Sequence, residues 1–127
     1  MSRVILDASA LMAFLRNEPG SDIVQSVLTN AAISTVNLSE VLAKATELSK
    51  GFDAAKAALR GLQLSVIPFD EQQAEIAAGL RPVTRSLGLS LGDRCCLALG
   101  ISEELPVMTT DRDWSKLQLG IKINVIR

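Results

Sequence analysis

The sequence has no histidine and no tyrosine, and aromatic residues make up only 3% of its 127 positions. Stacking of nucleic-acid bases on an aromatic platform is therefore not expected as a binding mode. The two cysteines, Cys95 and Cys96, are adjacent in an apolar stretch, and neighbours on a helix do not face each other, so a disulfide between them is not expected. Because there is no histidine to join them, they also make a poor zinc site. We expect both thiols in the core.

Strong charge and long apolar runs are lacking as well. The net charge is −1 and the isoelectric point is about 5.4, which argues against a strongly basic nucleic-acid binder. If four carboxylates are committed to metal ions, however, the remaining charge becomes positive, and contact with nucleic acid is then compatible. The sequence predicts no signal peptide and no bilayer-spanning segment, so we expect a cytoplasmic protein with no membrane partner.

Strand-like and helix-like segments alternate along the whole chain, which we expect to form one domain over residues 1–127. The segments predicted to be strands are 4–6, 31–34, 64–68, 106–109 and 121–126. The segments predicted to be helices are 10–15, 21–29, 35–50, 54–62, 70–85 and 93–101, with a turn or short helix at 111–117. This alternation predicts an α/β fold, with a parallel sheet covered by helices on both faces.

Local signals mark several boundaries of these elements. Ser9 is predicted to be the N-cap of the first helix, and Asp53 that of the helix 54–62. Asp113 is predicted to cap the turn at Trp114 rather than to bind a ligand. Pro82 predicts a kink or a break inside the fifth helix, because proline lacks the donor that a helix interior needs.

Four acidic residues share one position in the predicted sheet. Asp7 and Asp111 follow strands, and Glu40 and Asp93 lie in the first turns of helices. All four are therefore expected at the carboxyl edge of the strands, where open α/β sheets bind ligands. Such a cluster without Lys or Arg in it needs a cation or partial protonation. Because the available donors are oxygens, the expected ion is Mg²⁺ or Mn²⁺.

Each acid taken alone also has a purely structural interpretation. Asp7 caps the first helix in this alternative. Glu40 and Lys44, four residues apart on a helix, form a surface ion pair worth about 0.3–0.5 kcal/mol. The remaining acids are caps or ordinary turn residues: Asp93, Asp111 and Asp113. Only their common placement at one edge weakens these alternatives.

Four segments carry a resemblance to a known family. They are VILDASAL at 4–11, NLSEV at 37–41, LSLGDRCCLAL at 89–99 and TTDRDW at 109–114. In this order they resemble the PIN domain, and specifically the VapC-type toxins of toxin–antitoxin pairs. The resemblance implies a PIN-like three-layer sandwich with a five-stranded parallel sheet, usually assembled as a homodimer.

The resemblance also implies an activity and a site. The implied activity is a Mg²⁺-dependent endoribonuclease, with Mn²⁺ as a substitute, that is blocked by a cognate antitoxin. The implied catalytic and metal-binding residues are Asp7, Glu40, Asp93 and Asp111. Ser9 and Thr109 are implied as supporting polar residues. Arg94 and Arg112 each follow a site acid, and either contact phosphates of the RNA or merely offset the acidic cluster.

Two other functions remain as alternatives. One is a binding module that holds RNA or a protein in the acidic pocket without cutting. The other is phosphoryl transfer through an aspartyl-phosphate at Asp7. The second is disfavoured because receiver domains need an acidic pair at the first strand, and dehalogenase-like domains need an acid where this chain has Ser9.

Overall fold

The sheet of the computed structural model, which describes residues 3–48 and 50–127, has five strands, all of them parallel. Their order is β3-β2-β1-β4-β5. The strands are β1 Val4–Leu6, β2 Ala31–Ser34, β3 Ser65–Ile67, β4 Val107–Thr109 and β5 Ile123–Val125. The expected five-stranded parallel sheet is thereby confirmed, with β1 at its centre.

Seven α-helices surround this sheet in the part of the chain that the structure describes. They are α1 Ala8–Leu15, α2 Ser21–Val27, α3 Thr35–Leu48, α4 Phe52–Gly61, α5 Glu71–Gly79, α6 Arg81–Thr84 and α7 Leu91–Glu103. Short 3₁₀ turns lie at Leu28–Asn30, Arg85–Leu87 and Arg112–Lys116. The predicted helix 35–50 includes position 49, which is outside the described residues. Within those residues, the helices all fall short of the length and apolarity that crossing a bilayer requires.

The core lies on both faces of the sheet. Successive side chains of a strand point to opposite faces, so Val4 and Leu6 join one apolar cluster while Ile5 joins the other. The cluster around Ile5 includes Leu97 of α7 and the fully buried Trp114. Helices on both faces therefore bury every residue of β1, which places the end of this strand inside the protein.

Two predicted N-caps are wrong. The cap of α1 is Asp7, whose Oδ1 accepts a hydrogen bond from the Ala10 main-chain N–H at 2.7 Å, so this helix begins before Ser9. The cap of α4 is Gly51, which makes no side-chain cap bond, and Asp53 lies in the first turn of the helix. Gly51 has a φ of 107°, a conformation that glycine adopts without the steric cost that a Cβ would bring.

The predicted break at Pro82 is confirmed. Helix α5 ends at Gly79, and α6 begins at Arg81 with the proline in its first turn, where the missing N–H costs no helical hydrogen bond. Helix α7 begins two residues earlier than predicted, because Ser90 is its N-cap. Helices α1 and α3 directly follow β1 and β2, and the first turn of α7 faces the same carboxyl edge of the sheet. These three turns position the acidic residues.

Candidate metal centre

Asp7 is buried at the end of β1, with only 3% of its surface exposed. Its Oδ1 accepts hydrogen bonds from the Ala10 N–H and the Ser9 hydroxyl, both at 2.7 Å, and its Oδ2 accepts one from the Thr109 hydroxyl at 2.6 Å. Burial raises the pKa of this carboxyl to about 6, although these donors oppose the shift, and the charge of Asp93 raises it further. Asp93 is therefore an electrostatic neighbour of Asp7.

The two hydroxyl groups around Asp7 also tie the ends of β1 and β4 together. The Ser9 hydroxyl oxygen accepts from the Thr110 N–H at 3.0 Å, and the Thr109 oxygen accepts from the Asp111 N–H at 3.1 Å. Each hydroxyl has one proton, and each donates it to Asp7. Ser9 and Thr109 thus lie where supporting polar residues were predicted. Their role in catalysis stays a prediction.

Glu40 is held by a contact between two helices. It forms no ion pair with Lys44 within the described residues. Instead, its Oε1 accepts a hydrogen bond from Asn37 Nδ2 at 2.8 Å, and the same nitrogen donates to the Gly92 carbonyl at 3.0 Å. A Cβ at Gly92 would lie 2.5 Å from Glu40 Oε1. The Glu40 carboxylate therefore lies directly against the first turn of α7.

Asp93 lies in that same turn and has a capping role. Its Oδ2 accepts from the Ser90 N–H at 2.9 Å, and its own N–H donates to the Ser90 hydroxyl at 3.1 Å. Burial raises the pKa of the Cys96 thiol well above its ordinary value, and the charges of Asp7, Asp93 and Glu40 raise it further. The buried position of Cys96 agrees with the core location that the sequence predicted for it.

Asp111 differs from the other three acids because its side chain is exposed. Its Oδ1 accepts from the Asp113 N–H at 3.0 Å, so Asp111 is the N-cap of the 3₁₀ turn. The prediction that Asp113 is this cap is wrong; its carboxylate pairs with Lys116 at 3.2 Å. The bond from the Asp111 N–H to Thr109 keeps the backbone of Asp111 beside the Asp7 network.

The two arginines that follow site acids are both bound to main-chain carbonyl groups. Arg94 Nη1 donates to the Ala77 carbonyl at 3.1 Å, in the last turn of α5, where a cation is favoured by the helix dipole. Arg112 is exposed, and its Nε donates to the Arg127 carbonyl at 3.1 Å. Within the described residues, neither guanidinium group forms an ion pair with a site acid. Their predicted contact with phosphates stays a prediction.

The acidic edge has the donors that a hard divalent ion uses. Within the described residues, no three Asp, Glu, Cys or His side chains already converge closely enough to hold a metal ion, so a ligand shell would require side-chain adjustment. The Glu40 carboxylate nevertheless lies against the turn that carries Asp93, and Asp7, Glu40 and Asp93 form no ion pair within the described chain. Asn37 Oδ1 is also buried there without a hydrogen bond. An all-oxygen set of this kind suits Mg²⁺ or Mn²⁺. The fold and the site together define the class of protein: a parallel α/β domain with carboxylates at the carboxyl edge of its sheet.

A comparison with known protein families shows to which of them this chain belongs. The family model for the PIN domain matches residues 4–119. The chain therefore belongs to the PIN domain family, and the resemblance noted in the sequence is confirmed. PIN domains are generally nucleases, and these nucleases typically use Mg²⁺. No curated protein matches the chain.

Solved structures with the same fold include several toxin–antitoxin complexes. A DNA-bound VapBC from Salmonella typhimurium has a TM-score of 0.73 at 20% identity, and the match covers 97% of each chain. VapBC-5 from Mycobacterium tuberculosis has a TM-score of 0.60 at 23% identity, covering 100% of this chain and 99% of the other. FitAcB from Neisseria gonorrhoeae has a TM-score of 0.65 at 20% identity, covering 95% and 96%. At these identities the likeness shows the shared fold.

Proposed function

We propose that this protein is a Mg²⁺-dependent endoribonuclease, with Mn²⁺ as a substitute, and that it is the toxic component of a type II toxin–antitoxin system. One observation carries the proposal: the buried carboxylate of Asp7 follows the central strand, and the Glu40 carboxylate lies against the first turn of α7, which carries Asp93. None of these three acids forms an ion pair within the described chain. The likeness to VapBC and FitAcB supports the toxin assignment. Hydrolysis of a phosphodiester bond is the reaction that such a site suits.

The residues of this edge have distinct roles in the proposed reaction. The metal would be held by Asp7, Glu40, Asp93 and Asp111, and when bound it supplies a hydroxide near neutral pH and neutralises charge on the reacting oxygens. Ser9 and Thr109 fix the orientation of the Asp7 carboxylate by donating to it. The chain has no histidine, so a carboxylate is the side chain left to orient or deprotonate the attacking water. Glu40 Oε2 and Asp93 Oδ1 accept no hydrogen bond within the described chain.

A second part of the proposal is the partner. An apolar groove of about 300 Å³ lies between α3, α4 and β3. It is lined by Leu38, Leu42, Lys56, Leu59, Arg60, Leu64 and Val66. Its two cations suit an amphipathic segment that carries acidic residues. We assign this groove to the antitoxin. A homodimer stays a prediction, to be tested by sedimentation.

The test is cleavage of total cellular RNA by the antitoxin-free protein. Wild type is compared with Asp93→Asn in Mg²⁺, in Mn²⁺ and in chelator. Asp53→Asn is the matched control, because it makes the same chemical change at an exposed acid on α4. We expect metal-dependent bands that are lost in Asp93→Asn and kept in the control. Cleavage by Asp93→Asn at the wild-type rate would overturn the site.

The same assay separates the alternatives. Tight RNA binding that persists in chelator, with no cleavage in Mn²⁺, would favour the non-catalytic binding module. An aspartyl-phosphate enzyme would instead trap phosphate on Asp7 when given a reactive phospho-donor. That outcome is not expected, because Ser9 stands where a dehalogenase-like enzyme needs its second acid.

A further inference from the structure

Asn37 is a buried amide in the first turns of α3, with 1% of its surface exposed. Its Nδ2 donates to Glu40 Oε1 at 2.8 Å and to the Gly92 carbonyl at 3.0 Å. Both partners are acceptors, so only the nitrogen of the amide can face them. The amide orientation is thereby fixed by chemistry, and both protons of the nitrogen have a partner.

The same contact determines where the Glu40 carboxylate lies. Glu40 is only partly buried and ends a flexible side chain, and no cation holds it in the described chain. Asn37 joins its Oε1 to a carbonyl in the first turn of α7, immediately before Asp93. The space that a Cβ would need at Gly92 is taken by the carboxylate, at 2.5 Å from Oε1 and 2.8 Å from Oε2.

The other atom of the amide argues against a purely stabilising role. Asn37 Oδ1 is buried and has no hydrogen bond. A buried acceptor that loses its water without gaining a donor destabilises the folded state. A leucine has nearly the same shape and would avoid this cost, but it would remove the donor of Glu40 Oε1 and of the Gly92 carbonyl. What asparagine provides at this position is the pair of donors on Nδ2.

We propose that Asn37 is a positioning residue, which holds the Glu40 carboxylate against the first turn of α7 so that Glu40 and Asp93 bind one divalent cation together. The cation-binding part of this inference rests on the proposed function. Partners that orient a metal ligand from behind typically contribute 10–100-fold to metal affinity or activity, so we expect an effect of about that size.

The first test needs no metal. The side-chain amide signals of Asn37 are identified in the NMR spectrum by their loss in Asn37→Leu. In chelator, Glu40→Ala should shift one of these signals and speed its exchange with solvent, because one proton loses its acceptor. Ser39→Ala is the matched control on the exposed side of the same helix and should leave the Asn37 signals in place. Unchanged Asn37 signals in Glu40→Ala would overturn the contact.

The second test is Mn²⁺ binding by calorimetry. Asn37→Leu should raise the Kd for Mn²⁺ by about 10–100-fold while keeping or raising the melting temperature in chelator. The matched control is Gln73→Met on α5. Gln73 is also a buried amide, 2% exposed, whose Nε2 donates to the Pro68 carbonyl at 3.2 Å and whose Oε1 has no partner. This control should leave the Kd unchanged. A wild-type Kd in Asn37→Leu would overturn the positioning role.

These two tests can contradict the role of Asn37 independently of the proposed function. A wild-type protein that binds Mn²⁺ but cuts no RNA contradicts the nuclease, and the Kd of Asn37→Leu still decides the inference. A wild-type protein that binds no Mn²⁺ contradicts the shared cation site together with the proposed cofactor. If Asn37→Leu does not fold, Asn37→Ser replaces it in both tests: its spectrum identifies the Asn37 amide signals that are then followed in Glu40→Ala, and its Kd for Mn²⁺ decides the positioning role.

Discussion

Asp7 and Glu40 place carboxylates at the same edge of the sheet by opposite means. Asp7 is almost fully buried at the end of β1 and accepts hydrogen bonds from donors on both β4 and α1. Glu40 is partly exposed on α3 and accepts one hydrogen bond, from Asn37. The charged form of Asp7 is therefore costly to the fold but rigidly oriented, whereas the position of the Glu40 carboxylate depends on one hydrogen bond. A variant of Asp7 should therefore change both the free energy of unfolding and the cleavage rate, whereas displacing Glu40 should lower metal affinity and leave the fold intact.

The largest effect is expected from removing the charge of Asp7. Asp7→Asn keeps an acceptor for the Ala10 N–H but loses the buried anion. We expect single-turnover cleavage of RNA to fall by about 10²–10³-fold, the range typical of a lost electrostatic contact at a reacting centre. Asp53→Asn should cut normally. Equal rates for Asp7→Asn and wild type would remove Asp7 from the site.

The same variant should stabilise the metal-free protein. The folded pKa of Asp7 is about 6, above the ordinary aspartate value of 3.8, because burial disfavours the anion. Folding therefore favours the protonated form: its contribution to stability is complete below pH 3.8 and is lost as the pH rises through 6. Above that window the anion costs about 3 kcal/mol.

Urea unfolding in chelator between pH 4 and pH 8 measures this cost. Asp7→Asn should be more stable than wild type by up to about 3 kcal/mol at pH 8, and the difference should close toward pH 4. Asp53→Asn controls for removal of a surface charge. A pH-independent difference between Asp7→Asn and wild type would contradict the buried-anion explanation.

A smaller effect is expected from Gly92→Ala, which tests the position of the Glu40 carboxylate. The new Cβ would overlap the Glu40 carboxylate, which can move aside because it ends a flexible side chain. We expect the fold to survive and Mn²⁺ affinity to fall by about 10–100-fold. Gly61→Ala on α4 is the matched control, because no described atom beyond its chain neighbours and its own helix backbone lies within 4 Å of its Cβ position. An unchanged Kd in Gly92→Ala would show that the position of Glu40 is immaterial.

The sequence predicted the edge better than it predicted the contacts within it. Alternating strands and helices were enough to predict that Asp7, Glu40 and Asp93 lie at one edge, because parallel strands all end there. The caps were harder to predict. Asp7 and Ser9 are two residues apart and are both good N-caps, as are Asp111 and Asp113. Only the backbone conformation at each position decides which of the two caps the helix.

The contact between Asn37 and Gly92 could not have been predicted at all. These residues are 55 positions apart, and their contact depends on how closely α3 approaches α7. No local spacing contains that distance. A polar residue three positions before Glu40 on the same helix face was the one available indication, and it is equally typical of a solvent-exposed turn.

The smallest effect is expected from a variant of Arg112, which is exposed beside Asp111. If its guanidinium group contacts a phosphate of the RNA, Arg112→Gln should raise KM a few-fold and leave kcat unchanged. The slope of log affinity against log salt should fall by about 0.7, the value for one phosphate contact on a single strand. Arg16→Gln, at the far end of α1, should change neither. A fall in kcat instead of a rise in KM would place Arg112 with Glu40 and Asp7 among the residues that act on the reacting phosphate. An unchanged KM and an unchanged salt slope would contradict the phosphate contact and leave Arg112 with a structural role, the hydrogen bond to the Arg127 carbonyl.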